Sequence, residues 1–256
     1  MSETPHSGWA GRALVWWLET CHIVAPQWRA LEAVLDDGER ERAARFHFER
    51  DREVYVAARA MARGLLAHAS GRAPTGFRFA IGDHGKPEVV VGADELRWRL
   101  NLSHTRGLAA AALTAEHDIG IDVEWLGREP AATALAERMF APDERRAVDV
   151  AGPAERNGVF LTYWTLKEAY VKAIGMGLSQ PLQTFVVTLD PLGIAFDDPA
   201  ADGPGSWVLK SARPTPHHVL ALALRHPTPS RVHVALEPAP LEGLVALASR
   251  PGCGRI

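Results

Sequence analysis

Apolar positions spaced three or four apart mark two long helices. Between residues 160 and 178, Phe160, Trp164, Val171 and Ile174 share one side of a 3.6-residue helix, and Gly175 and Gly177 supply the stop signal. Within Asp51–Ser70, Val54, Ala58, Met61 and Leu65 form a second stripe, which ends at Gly71. Shorter helices are predicted from Asp36, around Ala136–Phe140, and from Pro142, where proline occupies a permitted first position. Runs of strand formers at Ala13–Leu18 and Phe77–Ala80 read as strands, and 100–105 with 108–113 as a hairpin. In Asp118–Glu124, apolar Ile121 and Val123 alternate with Asp122 and Glu124, the signature of a half-buried strand. Four further runs, Thr184–Leu189, Trp207–Lys210, His218–Leu224 and Val232–Leu236, predict a mostly antiparallel C-terminal sheet. A loop at Asp197–Ser206 and a terminal helix at Ala239–Ser249 complete the pattern. Helix, strands and a glycine-containing turn occur in both halves, a faint two-part repeat.

Composition narrows the class. With 256 residues and 47% hydrophobic content the chain can build a sizeable core, as one large domain or two small ones. Its 28 basic and 31 acidic residues leave a net charge of -3, which gives no whole-chain reason to expect nucleic acid or an anionic membrane. No apolar run approaches the roughly 20 residues of a membrane span, and the start lacks a basic segment leading into an apolar one, so a cytoplasmic location is expected. Cys21 and Cys253 suggest neither a disulfide framework nor a zinc pattern. His217, His218, His226 and His233 lack helical His-x-x-x-His spacing and read as structural or exposed.

The candidate chemistry is acidic and basic. On a strand Asp122 and Glu124 point to one face, where their repulsion favours a cation. On the 160–178 helix Glu168 and Lys172 stand one turn apart, while Lys167 projects into the apolar stripe and needs an anionic partner. Taken alone, this is an ordinary surface Glu–Lys pair with a lysine snorkelling to water. Combined with the strand, Asp122, Glu124 and Glu168 offer three oxygen ligands suited to Mg2+. Ser103-His104 has no Gly-x-Ser-x-Gly elbow to support a serine hydrolase.

Gly120-Ile-Asp-Val-Glu124, followed by Trp164-Thr-Leu-Lys-Glu-Ala-Tyr-Val-Lys172, resembles the paired signature of the 4'-phosphopantetheinyl transferases. Gly85-Lys-Pro87 and Asn101-Leu-Ser-His-Thr105 resemble further motifs of that family in the same order, and the length resembles its larger, surfactin-synthetase-activating type. The resemblance implies an α+β fold, a pseudo-twofold pair of similar subdomains with mostly antiparallel sheets and packed helices. We divide these as 1–116, contacting coenzyme A, and 117–256, carrying the metal ligands and catalytic helix. It implies transfer of the phosphopantetheine arm of coenzyme A to a serine of an apo acyl or peptidyl carrier protein by a monomer, with Mg2+ as cofactor and neither nucleic acid nor membrane as partner. Coenzyme A would be held by Arg42, Arg45, Lys86, Ser103, His104 and Lys167. Val54 stands where the family carries another phosphate-binding arginine, with Arg52 and Arg59 as substitutes. Asp122, Glu124 and Glu168 would bind the metal and Lys172 the diphosphate. The serine proton would pass to Glu168, Glu144 or a water on the metal. The competing readings are a noncatalytic coenzyme A or carrier-protein binding module and an Mg2+-dependent nucleotide diphosphate hydrolase.

Overall fold

The computed structural model describes residues 7–82, 87–92, 95–128, 132–196 and 204–248. The elements run β1 (Arg12–Glu19), α1 (Ala25–Ala33), α2 (Asp37–Ala44), α3 (Glu49–Ser70), β2 (Arg78–Ile81), β3 (Pro87–Val90), β4 (Trp98–Thr105) and β5 (Leu108–Ala115). They continue with β6 (Ile119–Trp125), α4 (Ala132–Met139), α5 (Pro142–Val150), α6 (Pro153–Ile174), β7 (Phe185–Leu189), β8 (Leu192–Phe196), β9 (Trp207–Thr215), β10 (His218–Arg225), β11 (His233–Pro238) and α7 (Leu241–Ala248). Two units result, one made of the chain up to Glu116 together with the segment from His233, the other of His117–Val232.

In the first unit the sheet order is β11-β1-β5-β4, antiparallel except where β11 lies parallel to β1. Helix α3 closes one face of this sheet, and Met61, Leu65, Leu100, Leu113 and Trp16 belong to one buried cluster. In the second unit the order is β6-β10-β9, with α6 packed on β6 and β10 through Leu166, Ala169 and Ala173. Each unit therefore repeats one plan: a strand, a 22-residue helix, a two-stranded hairpin, and an antiparallel pair whose second strand returns beside the first. Both long helices stop at a glycine with φ +73, Gly71 and Gly175, a backbone conformation that side chains with a Cβ rarely adopt.

Three expectations change. The second unit is shorter than 117–256, because β11 completes the edge of the first sheet instead of joining its own neighbours. The four C-terminal strands do not form one sheet: among the described residues β7 pairs only with β8, β10 lies between β6 and β9, and β11 leaves. The catalytic-helix candidate begins at Pro153, a full two turns before the apolar stripe that announced it. Among the described residues no helix is long and apolar enough to cross a membrane.

Candidate active site

The acidic strand and the long helix are brought together by a missing side chain. A Cβ on Gly120 would stand 2.0 Å from the Ala169 carbonyl oxygen and 2.4 Å from the Ala173 nitrogen, so α6 lies directly on the backbone of β6 there. Residues two apart on a strand share a face, so Asp122 and Glu124 follow Gly120 on the side that α6 covers. On α6, Glu168 and Lys172 each immediately precede one of the two residues that touch Gly120, which sets them beside the strand carboxylates. Lys172 Nζ donates to Asp122 Oδ1 at 2.6 Å. Arg128, on the turn after β6, grips Glu124 Oε1.

Burial shapes the charges. Glu168 Oε1 is buried and meets no hydrogen-bond donor. Burial first, then the like charge of Asp122, raises the Glu168 carboxyl above its ordinary value, with Lys172 opposing. Glu124 is raised for the same two reasons and, less strongly, by Glu168, while Arg128 and Lys172 counteract. Three mutually repelling carboxylates, one holding an oxygen that no hydrogen-bond donor meets, suit a hard divalent cation. Their oxygens are not all within 4.8 Å of one another, and Lys172 and Arg128 each hold one of the strand carboxylates.

Two expected site residues lie elsewhere. Lys167 is completely buried, and its ammonium meets Glu144 Oε2 at 2.9 Å and donates to the Leu182 and Phe185 carbonyls at 2.7 Å each. Glu144, 1% exposed, also accepts the Ala141 and Val187 N–H groups. The inward lysine does have its anionic partner, but this is a core carboxylate rather than a diphosphate. Both functions assigned from sequence, Lys167 on coenzyme A and Glu144 as a base, are corrected by this pairing: the two groups form a buried ion pair, and the Lys167 ammonium spends its donors on Glu144 and two backbone carbonyls.

In the first unit, Arg42 and Arg45 line a cavity of about 550 Å³ with Gly38 and Phe46. Arg42 lies 5.7 Å above the Tyr55 ring, and Arg59 5.4 Å from the same ring. Arg52 does not join them, because Glu32 and Glu49 take its guanidinium. Arg59 is turned toward Glu39, 3.7 Å away. Ser103 is buried and His104 exposed, neighbours on opposite faces of β4 that the strand does not bring together. Lys86 lies outside the described residues.

Sequence reading overlooked the support beneath α2. Arg63 is completely buried and donates to Glu39 Oε2 at 2.7 Å, Asp36 Oδ2 at 2.6 Å, and the Pro74 and Phe77 carbonyls. Asp36 and Glu39 also cap α2 reciprocally, each side chain accepting the other's backbone N–H. The helix with Arg42 on its last turn and Arg45 at its end is thereby anchored on α3. The capping spacing Asp36-x-x-Glu39 was a readable signal, and the buried arginine was not.

Comparison with known proteins returned one family for both units. Residues 118–222 match the 4'-phosphopantetheinyl transferase superfamily, and residues 22–116 match the N-terminal region of 4'-phosphopantetheinyl transferases. The chain is 32% identical to the 4'-phosphopantetheinyl transferase HetI of Nostoc sp. over 77% of its own length and 81% of the relative's. It is 28% identical to a 4'-phosphopantetheinyl transferase of Bacillus subtilis, covering 76% and 84% of the two chains. A phosphopantetheinyl transferase of Thraustochytrium sp. is 30% identical over 77% of this chain and 72% of its own.

Proposed function

The chain belongs to the 4'-phosphopantetheinyl transferases, and on that premise we propose that Asp122, Glu124, Glu168 and Lys172 form its transfer site. The enzyme moves the 4'-phosphopantetheine arm of coenzyme A to a serine hydroxyl of an apo carrier protein and releases 3',5'-ADP. In that reaction a bond forms between the serine oxygen and phosphorus, the diphosphate P–O bond breaks, and the electron pair leaves with the nucleotide.

The observation that carries the assignment is the packing at Gly120, which sets a strand pair of carboxylates against Glu168 and Lys172 and leaves Glu168 Oε1 buried with no hydrogen-bond donor. Asp122, Glu124 and Glu168 would hold Mg2+, which when bound supplies positive charge to offset the diphosphate. Lys172 exchanges Asp122 for a diphosphate oxygen as substrate enters. Glu168, whose proton affinity is raised by burial, takes the serine proton. Arg42 and Arg45 at their cavity bind the 3'-phosphate of coenzyme A, with Arg59 held close by Tyr55.

The test is Asp122→Ala. Mass-spectrometric labelling of an apo carrier protein with coenzyme A and Mg2+ should fall by about a hundredfold or more, a loss of roughly 3 kcal/mol of transition-state stabilisation, with the far-ultraviolet spectrum unchanged. Mg2+ binding measured by calorimetry should be lost in parallel. Wild-type transfer by a folded Asp122→Ala protein would remove the metal role.

A further inference from the structure

We propose a second metal site, for a Zn2+-class ion, made by Glu19, Cys21 and His22 at the end of β1. Among the described residues this is the one group of three potential ligands whose donor atoms all lie within 4.8 Å of one another. The three donors are a carboxylate oxygen, a thiol sulfur and an imidazole nitrogen. This mixed set selects borderline ions such as Zn2+ over Mg2+ or Ca2+.

The geometry is local and fixed by the backbone. Glu19 closes β1 opposite Leu108, and the next three residues, Thr20–His22, form a single tight helical turn. That turn is held by Thr20 N–H to the Gly107 carbonyl at 3.0 Å and Ile23 N–H to the Thr20 carbonyl at 3.3 Å. A tetrahedral ion with bonds of about 2.0–2.3 Å separates its ligand atoms by roughly 3.3–3.6 Å. Small side-chain rotations therefore close the site without moving the strand. Among the described residues, no hydrogen bond or ion pair engages any of the three side chains, although they converge. Glu19 is half-buried, and Cys21 and His22 are exposed, so ions reach the site from solvent and a fourth position stays open to water.

Ligation releases the Cys21 thiol proton to solvent and leaves a metal-bound thiolate. Two consequences follow: Cys21 loses reactivity toward electrophiles, and the end of β1 is pinned where it meets the turn between β4 and β5. The site does not depend on the transferase assignment, since it uses none of those residues.

The experiment uses the full-length chain with Cys253→Ser, which leaves Cys21 as its only cysteine, in excess Mg2+. Titration with Co2+ as a spectroscopic stand-in for Zn2+ should produce a near-ultraviolet thiolate charge-transfer band that saturates at one equivalent and is erased by Zn2+. Cys21→Ser should abolish the band, and His22→Gln or Glu19→Gln should weaken Co2+ affinity by about tenfold or more. Equimolar Zn2+ should slow alkylation of Cys21 by a similar factor, about tenfold. Absence of the band, unaltered alkylation, or equal Co2+ affinity in His22→Gln and Glu19→Gln would overturn the site. Asp122→Asn should keep the band in full, which separates this result from any failure of the transfer site.

Discussion

Burial raises the proton affinity of Glu168 and Glu124 before any neighbour acts, and the charge of Asp122 adds to it. A carboxyl whose folded-state value exceeds its unfolded value of 4.5 favours folding most below that pH, and this contribution is lost as pH rises through the raised value. The cation-free protein should therefore lose stability from these two groups as pH rises above 4.5. Mg2+ has the opposite dependence, because it needs the carboxylates ionised. The Mg2+-induced rise in melting temperature should be absent near about pH 4 and grow toward about pH 8, as scanning calorimetry would record. Lys167 belongs to a different kind of site. Lys167→Met leaves Glu144 buried and unpaired, and should lower unfolding free energy by about 3–5 kcal/mol. Adding Glu144→Gln should return much of that in urea melts, the sign of a structural ion pair. The inward aim of Lys167 was legible from helix spacing alone. Its partner was not, because Glu144 lies on α5 and no local pattern reports which element packs against which.

Among the elements, the junction of β6 and α6 is the least forgiving. Gly120→Ala adds one methyl where backbone already stands 2.0 Å from its position. Overpacking of this kind costs about 1–3 kcal/mol or more. It must also push Glu168 and Lys172 away from Asp122, so transfer activity should fall by more than the lost stability explains. Equal activity in a folded Gly120→Ala protein would show that the contact is not what assembles the site. Helix α2 depends on α3 in a comparable way. Arg63→Met removes the donor to Glu39 and Asp36 and should raise the KM for coenzyme A while changing kcat little, if Arg42 and Arg45 bind as proposed. Periodicity made α3, α6 and β6 readable as elements, although α6 meets the sheet through Leu166, Ala169 and Ala173, opposite the Phe160–Ile174 stripe, and β6 is buried on both faces. It missed α1, whose nine residues bury only Leu31, and β3 and β8, short hairpin partners with little alternation to display.

For the whole molecule, the repeated plan explains why the two halves were visible in sequence only as a rhythm. Each half keeps the order of its elements, while the chemistry differs: the strand carboxylates sit in the second, and Arg42 and Arg45 at the end of α2 in the first. A polar turn separates β5 from β6, and the first unit's leading segment ends there, at Glu116. The fate of the tail could not be read, since β11 resembles any other strand until its partner is known. Removing residues 233–256 should expose β1 as an edge and selectively destabilise the first unit, with hydrogen exchange of β1 and β5 accelerating before that of β6 and β10. The same return of β11 to β1 has a consequence during synthesis. His117–Val232 is uninterrupted and can close as soon as it has left the ribosome, whereas the portion translated earliest must wait for its final strand. The half that is made first is completed last, and until then the flank of β1 stays open to whatever else the cell offers.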